Sequence, residues 1–113
     1  MGIFKVALSP TFWAKVEVEV TAEDGRRVPV DFDLQYKRVT PDEATEIGGR
    51  LQNNGDLRNT VRELVVGWKR VAGDDGSTLD FSPENFERLL DLGFAGPILD
   101  TFLKNLPKAK QKN

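Results

Sequence analysis

The hydrophobic period of this chain changes once, at Thr40-Pro41, and that change constrains the fold more than any motif does. Before it, apolar residues recur every second position: Phe12, Ala14, Val16, Val18 and Val20, then Val28, Val30, Phe32, Leu34 and Tyr36. Alternation of this kind belongs to half-buried strands. Beyond it, apolar residues recur at intervals of three and four, the spacing of amphipathic helices. Strands followed by helices give an α+β fold: an N-terminal antiparallel hairpin or small three-stranded sheet, then about four short helices. A length of 113 residues suits one domain over 1–107, β-rich over 1–39 and helical over 40–107. Residues 108–113 form a basic tail expected to be flexible.

Local signals mark the joints. Asp24-Gly25 supplies the positive φ of a hairpin turn between the two alternating runs. Pro29, which lacks an amide hydrogen, belongs at a strand start or on a sheet edge. A lone hairpin is marginal in water, so Ile3–Leu8 is expected as a third strand. Thr40-Pro41-Asp42-Glu43 combines a hydroxyl cap, a first-position proline and a glutamate three residues after the cap. Ala44, Ile47 and Leu51 continue that helix, which Gly48-Gly49 is expected to bend or break. Asp56 caps a second helix, whose stripe of Leu57, Val61, Leu64, Val65 and Trp68 ends at Gly67-Trp68. Residues 69–81 read as a small hairpin or a loop around Asp75-Gly76. Ser82-Pro83-Glu84 opens a third helix, closed by Gly93. A last helix from Gly96-Pro97 carries Ile98, Leu99, Phe102, Leu103 and Leu106 and stops at Pro107.

Composition narrows the chemistry. The chain has no cysteine and no histidine, which removes thiolate nucleophiles, disulfides, imidazole bases and the usual zinc ligands. The carboxylate pairs Glu17/Glu19 and Asp31/Asp33 fall on the solvent side of their strands, where such groups confer solubility rather than catalysis. Asp74-Asp75-Gly76-Ser77 lacks the alternating ligands and terminal glutamate of a calcium loop, and Gly48-Gly49-Arg50 lacks the lysine of a phosphate loop. No catalytic, cofactor-binding or metal-binding constellation is expected, and no apolar run approaches the length of a membrane helix. The default location is the cytoplasm.

Charge is uneven. Lys104, Lys108, Lys110 and Lys112 stand in the last ten residues without an acid, while all 18 acidic residues precede them. A cationic tail attracts nucleic acid by counterion release, but it carries no aromatic residue for stacking and the body is acidic. A solvated terminus is the simpler reading.

Protein contact remains. Trp13 falls on the polar face of its strand, where an indole calls for a cover: a helix of the same chain by preference, otherwise a partner subunit. Trp68 closes an apolar stripe and reads first as core. Ile98, Phe102 and Leu106 line one side of the last helix, which docks on the body or receives a partner's helix. These five residues are the candidate protein-binding positions.

Three segments together carry a resemblance: Ser9-Pro10-Thr11-Phe12-Trp13 before an alternating strand, Val61–Lys69 with Val65-Val66-Gly67-Trp68 before a loop with Asp75-Gly76, and Phe81-Ser82-Pro83-Glu84-Asn85-Phe86 leading into the final helices and a Lys-Asn ending. In this order they resemble the tail assembly chaperones of long-tailed bacteriophages and prophages, over Phe4 to Asn113. The stretch Gly48–Gly55 departs from that pattern. The resemblance implies a non-enzymatic protein without cofactors. It would coat the helical tape measure protein in the host bacterial cytoplasm, keep it soluble and help recruit tail tube subunits. It also implies a longer form made by ribosomal frameshifting in many members. Self-association fits the role, with the helical half expected to supply apolar surface and the hairpin edges to align copies. The alternative readings are a structural virion component, such as a tail tube or head–tail completion protein, and a small nucleic-acid-binding regulator.

Overall fold

The computed structural model describes residues 8–54 and 56–106. Strands β1 (Thr11–Thr21) and β2 (Arg27–Lys37) form the expected hairpin, paired without interruption from Thr11 opposite Lys37 to Thr21 opposite Arg27. The turn closes through Ala22 N–H to Arg26 O (2.8 Å) and Gly25 N–H to Ala22 O (2.9 Å), with Gly25 at φ 85°. An L side chain avoids that φ, which is why the turn needs glycine.

Helix α1 (Pro41–Asn54) begins with the capping box seen in the sequence. Glu43 N–H donates to Thr40 Oγ1 at 3.1 Å, and Thr40 N–H donates to Glu43 Oε1 at 2.8 Å. The helix runs through Gly48-Gly49 without a break, so of the two expected outcomes the interruption does not occur. A loss of roughly 1 kcal/mol per glycine weakens a helix without ending it, because burial of Ile47 holds the turn in place.

The next element differs from expectation. Helix α2 (Leu57–Leu64) stops at Leu64, and Val65–Lys69 is strand β3, paired antiparallel with β2. Among the described residues the sheet therefore has three strands in the order β1-β2-β3. Its third strand comes from mid-chain. The strand expected over Ile3–Leu8 lies, apart from the exposed and irregular Leu8, outside the described residues. Lys69 faces Asp33, Trp68 faces Leu34, Gly67 faces Gln35 and Val65 faces Tyr36, so Val66 is the extra residue of a β-bulge. The bulge explains the helix-like spacing of this strand. It puts Val65 and Trp68, three residues apart, on the same inward face, and a bulged strand then imitates a helical stripe.

Residues 70–81 make a small hairpin, with a bridge between Ala72 and Thr78 and a turn at Gly76 (φ 81°). Asp75 Oδ1 accepts from Ser77 N–H at 3.0 Å, so the acidic segment serves its own turn. Helix α3 (Pro83–Leu90) is capped by Ser82, whose Oγ accepts from Asn85 N–H at 3.1 Å. Gly93 (φ 90°) turns the chain into α4 (Ala95–Lys104).

Residues of all four helices join the even-numbered residues of β1 and β2 in one core, with α4 on β1, α2 against α4 and β3, and α1 against α2. Tyr36 is fully buried between Phe12 (ring centroids 5.4 Å apart) and Phe102 (5.5 Å). Burial raises its hydroxyl pKa well above the usual value, and the neutral hydroxyl donates to Ile98 O at 2.8 Å. Arg58 and Arg62 of α2 grip Glu87 of α3 at 3.0 and 2.7 Å, and Arg58 also reaches Asp91 at 3.0 Å.

Candidate partner-binding surface

The helices leave the other face of the sheet open. Odd-numbered residues of β1 and β2 reach it, and β3 adds Gly67 and Lys69. Trp13, Gln35 and Gly67 form one row across the three strands, and Lys15, Asp33 and Lys69 form the next. The row with Gly67 is tight: a Cβ there would lie 2.7 Å from Gln35 Oε1. Glycine thus lets the Gln35 amide lie flat and donate to Thr11 Oγ1 at 2.9 Å.

Trp13 is 43% exposed. No helix among the described residues covers it, which corrects the expectation that one would. Lys69 Nζ lies 4.3 Å from the centroid of its ring instead. A lysine over an indole face gains a cation–π attraction and shields part of the ring, leaving an aromatic platform with a cationic border.

Acidic groups occupy the far end of the face. Glu17 stands opposite Asp31, a repulsive arrangement by itself. Arg70 resolves it. This residue follows β3 at φ 65°, a conformation that aims its guanidinium back over the sheet. Its Nε donates to Asp33 Oδ2 at 2.8 Å, and its Nη1 donates to Asp31. The hydrogen bond from Arg70 holds the Asp33 carboxyl below the usual carboxylate range, and the two aspartates raise the pKa of Arg70 further. The carboxylate pair seen in the sequence is therefore neutralised by a cation 37 residues away from Asp33. Among the described residues no cluster of acidic side chains has the arrangement of a metal site, and no helix is long and apolar enough to cross a membrane.

The five candidate contact residues separate. Trp68 is buried, its indole N–H donating to Leu79 O at 2.7 Å and its ring meeting Phe81 edge-on. Ile98 and Phe102 are fully buried against β1 and β2. Leu106 is half-buried against the core, beside Val39 and Ala44. Trp13 alone reaches solvent broadly. The expectation that the helical half offers its apolar stripes outward is thus corrected: a sheet this small needs those stripes to cover its inner face. Lys69, Arg70, Gln35 and Gly67 escaped the sequence reading because their roles depend on Val65–Lys69 being a strand. The Lys69-Arg70 pair directly after an apolar segment was the available signal. The basic tail lies outside the described residues.

Compared with known proteins, the chain matches no family model, no curated protein and no solved structure.

Proposed function

We propose that the protein is a non-enzymatic assembly chaperone of long-tailed phage or prophage tails. It binds the tape measure protein in the bacterial cytoplasm and helps recruit tail tube subunits. The observation that carries this reading is the uncovered sheet face bearing Trp13, an exposed indole held open beside Lys69. Large aromatic side chains at a surface anchor protein contacts, since they remove much apolar area at small entropic cost. The motif resemblance over Ser9–Trp13, Val61–Lys69 and Phe81–Phe86 supplies the class of partner. A long helical client favours many weak, repeated contacts over one tight pocket, and a flat sheet face with a single aromatic anchor suits such contacts. The absence of cysteine and histidine from the sequence agrees with a role in binding.

The test is co-expression with tape measure fragments. The wild-type chain should raise the soluble fraction of the fragment, and Trp13→Ala should abolish most of the gain while leaving the fold intact. A fragment equally insoluble with and without the protein would overturn the reading.

A further inference from the structure

The outer edge of β1 is a surface of a different kind. β1 is an edge strand of 11 residues, and among the described residues nothing pairs with its free side. The direction of its backbone groups follows from the ends of the ladder. Ala22 N–H bonds to Arg26 O, and Arg38 N–H bonds to Pro10 O. Both pairs are in register with the uninterrupted ladder between them. Alternate residues of an antiparallel strand direct their N–H and C=O to the same side, so the even residues of β1 bond β2. The odd residues, Trp13, Lys15, Glu17 and Glu19 among them, direct theirs to the free edge. Helix α4 flanks this edge without capping it: an open trough runs between Lys15 and Glu17 on one side and Pro97, Asp100, Thr101 and Lys104 on the other.

We infer that this edge pairs with the β1 edge of a second copy, antiparallel about a two-fold axis at Val16, joining two sheets into one. The side chains choose both partner and register. With Val16 on the axis, Lys15 lies opposite Glu17 of the second copy, twice by symmetry, and Trp13 lies opposite Glu19 of the second copy. These are odd residues, the ones with free backbone groups, so charge pairing and hydrogen bonding require the same alignment. On the inner face Phe12 meets Val20, Ala14 meets Val18 and Val16 meets Val16, extending the apolar layer. Slipping two residues one way sets Glu17 against Glu17, and slipping two the other way sets Lys15 against Lys15. Slipping four one way sets Glu17 against Glu19, and slipping four the other way sets Lys15 against Trp13, shortens the paired segment and leaves Glu17 and Glu19 without a cation opposite. Like charges directly opposite one another disfavour the first three of those registers, and one-residue slips turn the apolar faces outward. Lys15 and Glu17 make no ion pair within the chain among the described residues, so both are available. Long edge strands in soluble proteins are usually blunted. Here the charges are placed to select one partner instead.

This inference goes beyond the chaperone reading and does not rest on it. The experiment is light scattering and sedimentation equilibrium on the full chain. A concentration-dependent dimer is expected. Lys15→Glu and Glu17→Lys should each raise its dissociation constant roughly tenfold, and combining them should restore it to within about threefold. Both side chains are exposed, so thermal melting of each variant checks that the fold is kept. The chain has no cysteine. A mixture of the Lys15→Cys and Glu17→Cys variants should therefore give far more oxidised dimer than either alone. A monomer at every concentration would overturn the inference. So would a dimer indifferent to the charge reversals, or one that forms only after residues 1–7 are removed, since that would assign the edge to the chain's own N-terminus.

Discussion

The hydroxyl of Tyr36 donates a 2.8 Å hydrogen bond to the carbonyl oxygen of Ile98, joining the central strand to α4 across 62 residues of sequence. The ring carrying that hydroxyl stacks on Phe12 and meets Phe102 at a tilt, so one side chain ties both strands of the hairpin to the last helix. Tyr36→Phe keeps the packing and removes only the hydroxyl. Its cost should be about 1 kcal/mol, the net worth of one buried hydrogen bond. Urea denaturation should show a lower midpoint with an unchanged slope.

Arg70 permits two contributions to be separated. Arg70→Ala removes the clamp on Asp31 and Asp33 and keeps a Cβ at φ 65°. Arg70→Gly removes the same clamp but relieves the backbone. The glycine variant should be the more stable of the two by about 1 kcal/mol in thermal or chemical unfolding. In both, the Asp33 pKa should rise toward its ordinary value of 3.8, read by NMR titration.

Gly67→Ala tests the close approach in the Trp13–Gln35–Gly67 row. The new Cβ must displace the Gln35 amide and with it the bond to Thr11, for a loss of under about 1 kcal/mol. The displaced group is the end of a flexible side chain, so the strand itself survives. A double-mutant cycle with Gln35→Ala should show strong non-additivity, because Gly67→Ala costs nothing once the amide is absent.

Glu87 makes stability depend on acid. Hydrogen bonds from Arg62 and then Arg58 lower its pKa from 4.5 to about 2. A carboxylate depressed by folding stabilises the native state above its unfolded pKa, and that contribution fades as the pH falls through the folded value. The melting temperature should therefore drop between about pH 4.5 and pH 2, and Glu87→Gln should flatten that part of the profile while lowering the plateau above it. Raised salt should shrink the effect, since these side chains are solvent-exposed enough to be screened.

Much of the fold is legible from local patterns whose physics is itself local. Two alternating runs with Asp24-Gly25 between them define the hairpin, because side-chain period and turn φ are properties of neighbouring residues. The capping box at Thr40–Glu43 and the Ser82 cap define helix starts for the same reason, since each closes within four residues. The candidate surface was less legible. Trp13 stood out as an indole on a polar face, but its neighbours Lys69, Gly67 and Arg70 come from a segment whose spacing imitates a helix.

From its residue order alone, this protein has an α+β architecture, one antiparallel hairpin and helices after Thr40. Tertiary structure decided which segment became the third strand and which apolar stripes stayed available. Val65–Lys69 became that strand because β2 offered it backbone partners, and a bulge at Val66 reconciled its three-residue spacing with the inner face. The stripes of α2, α3 and α4 were largely consumed in the core on that inner face, because a small sheet has one apolar side to bury. Among the described residues, what remained exposed includes Trp13, Leu92, Leu103 and the free edge of β1, features that exist only once the layers have been assembled.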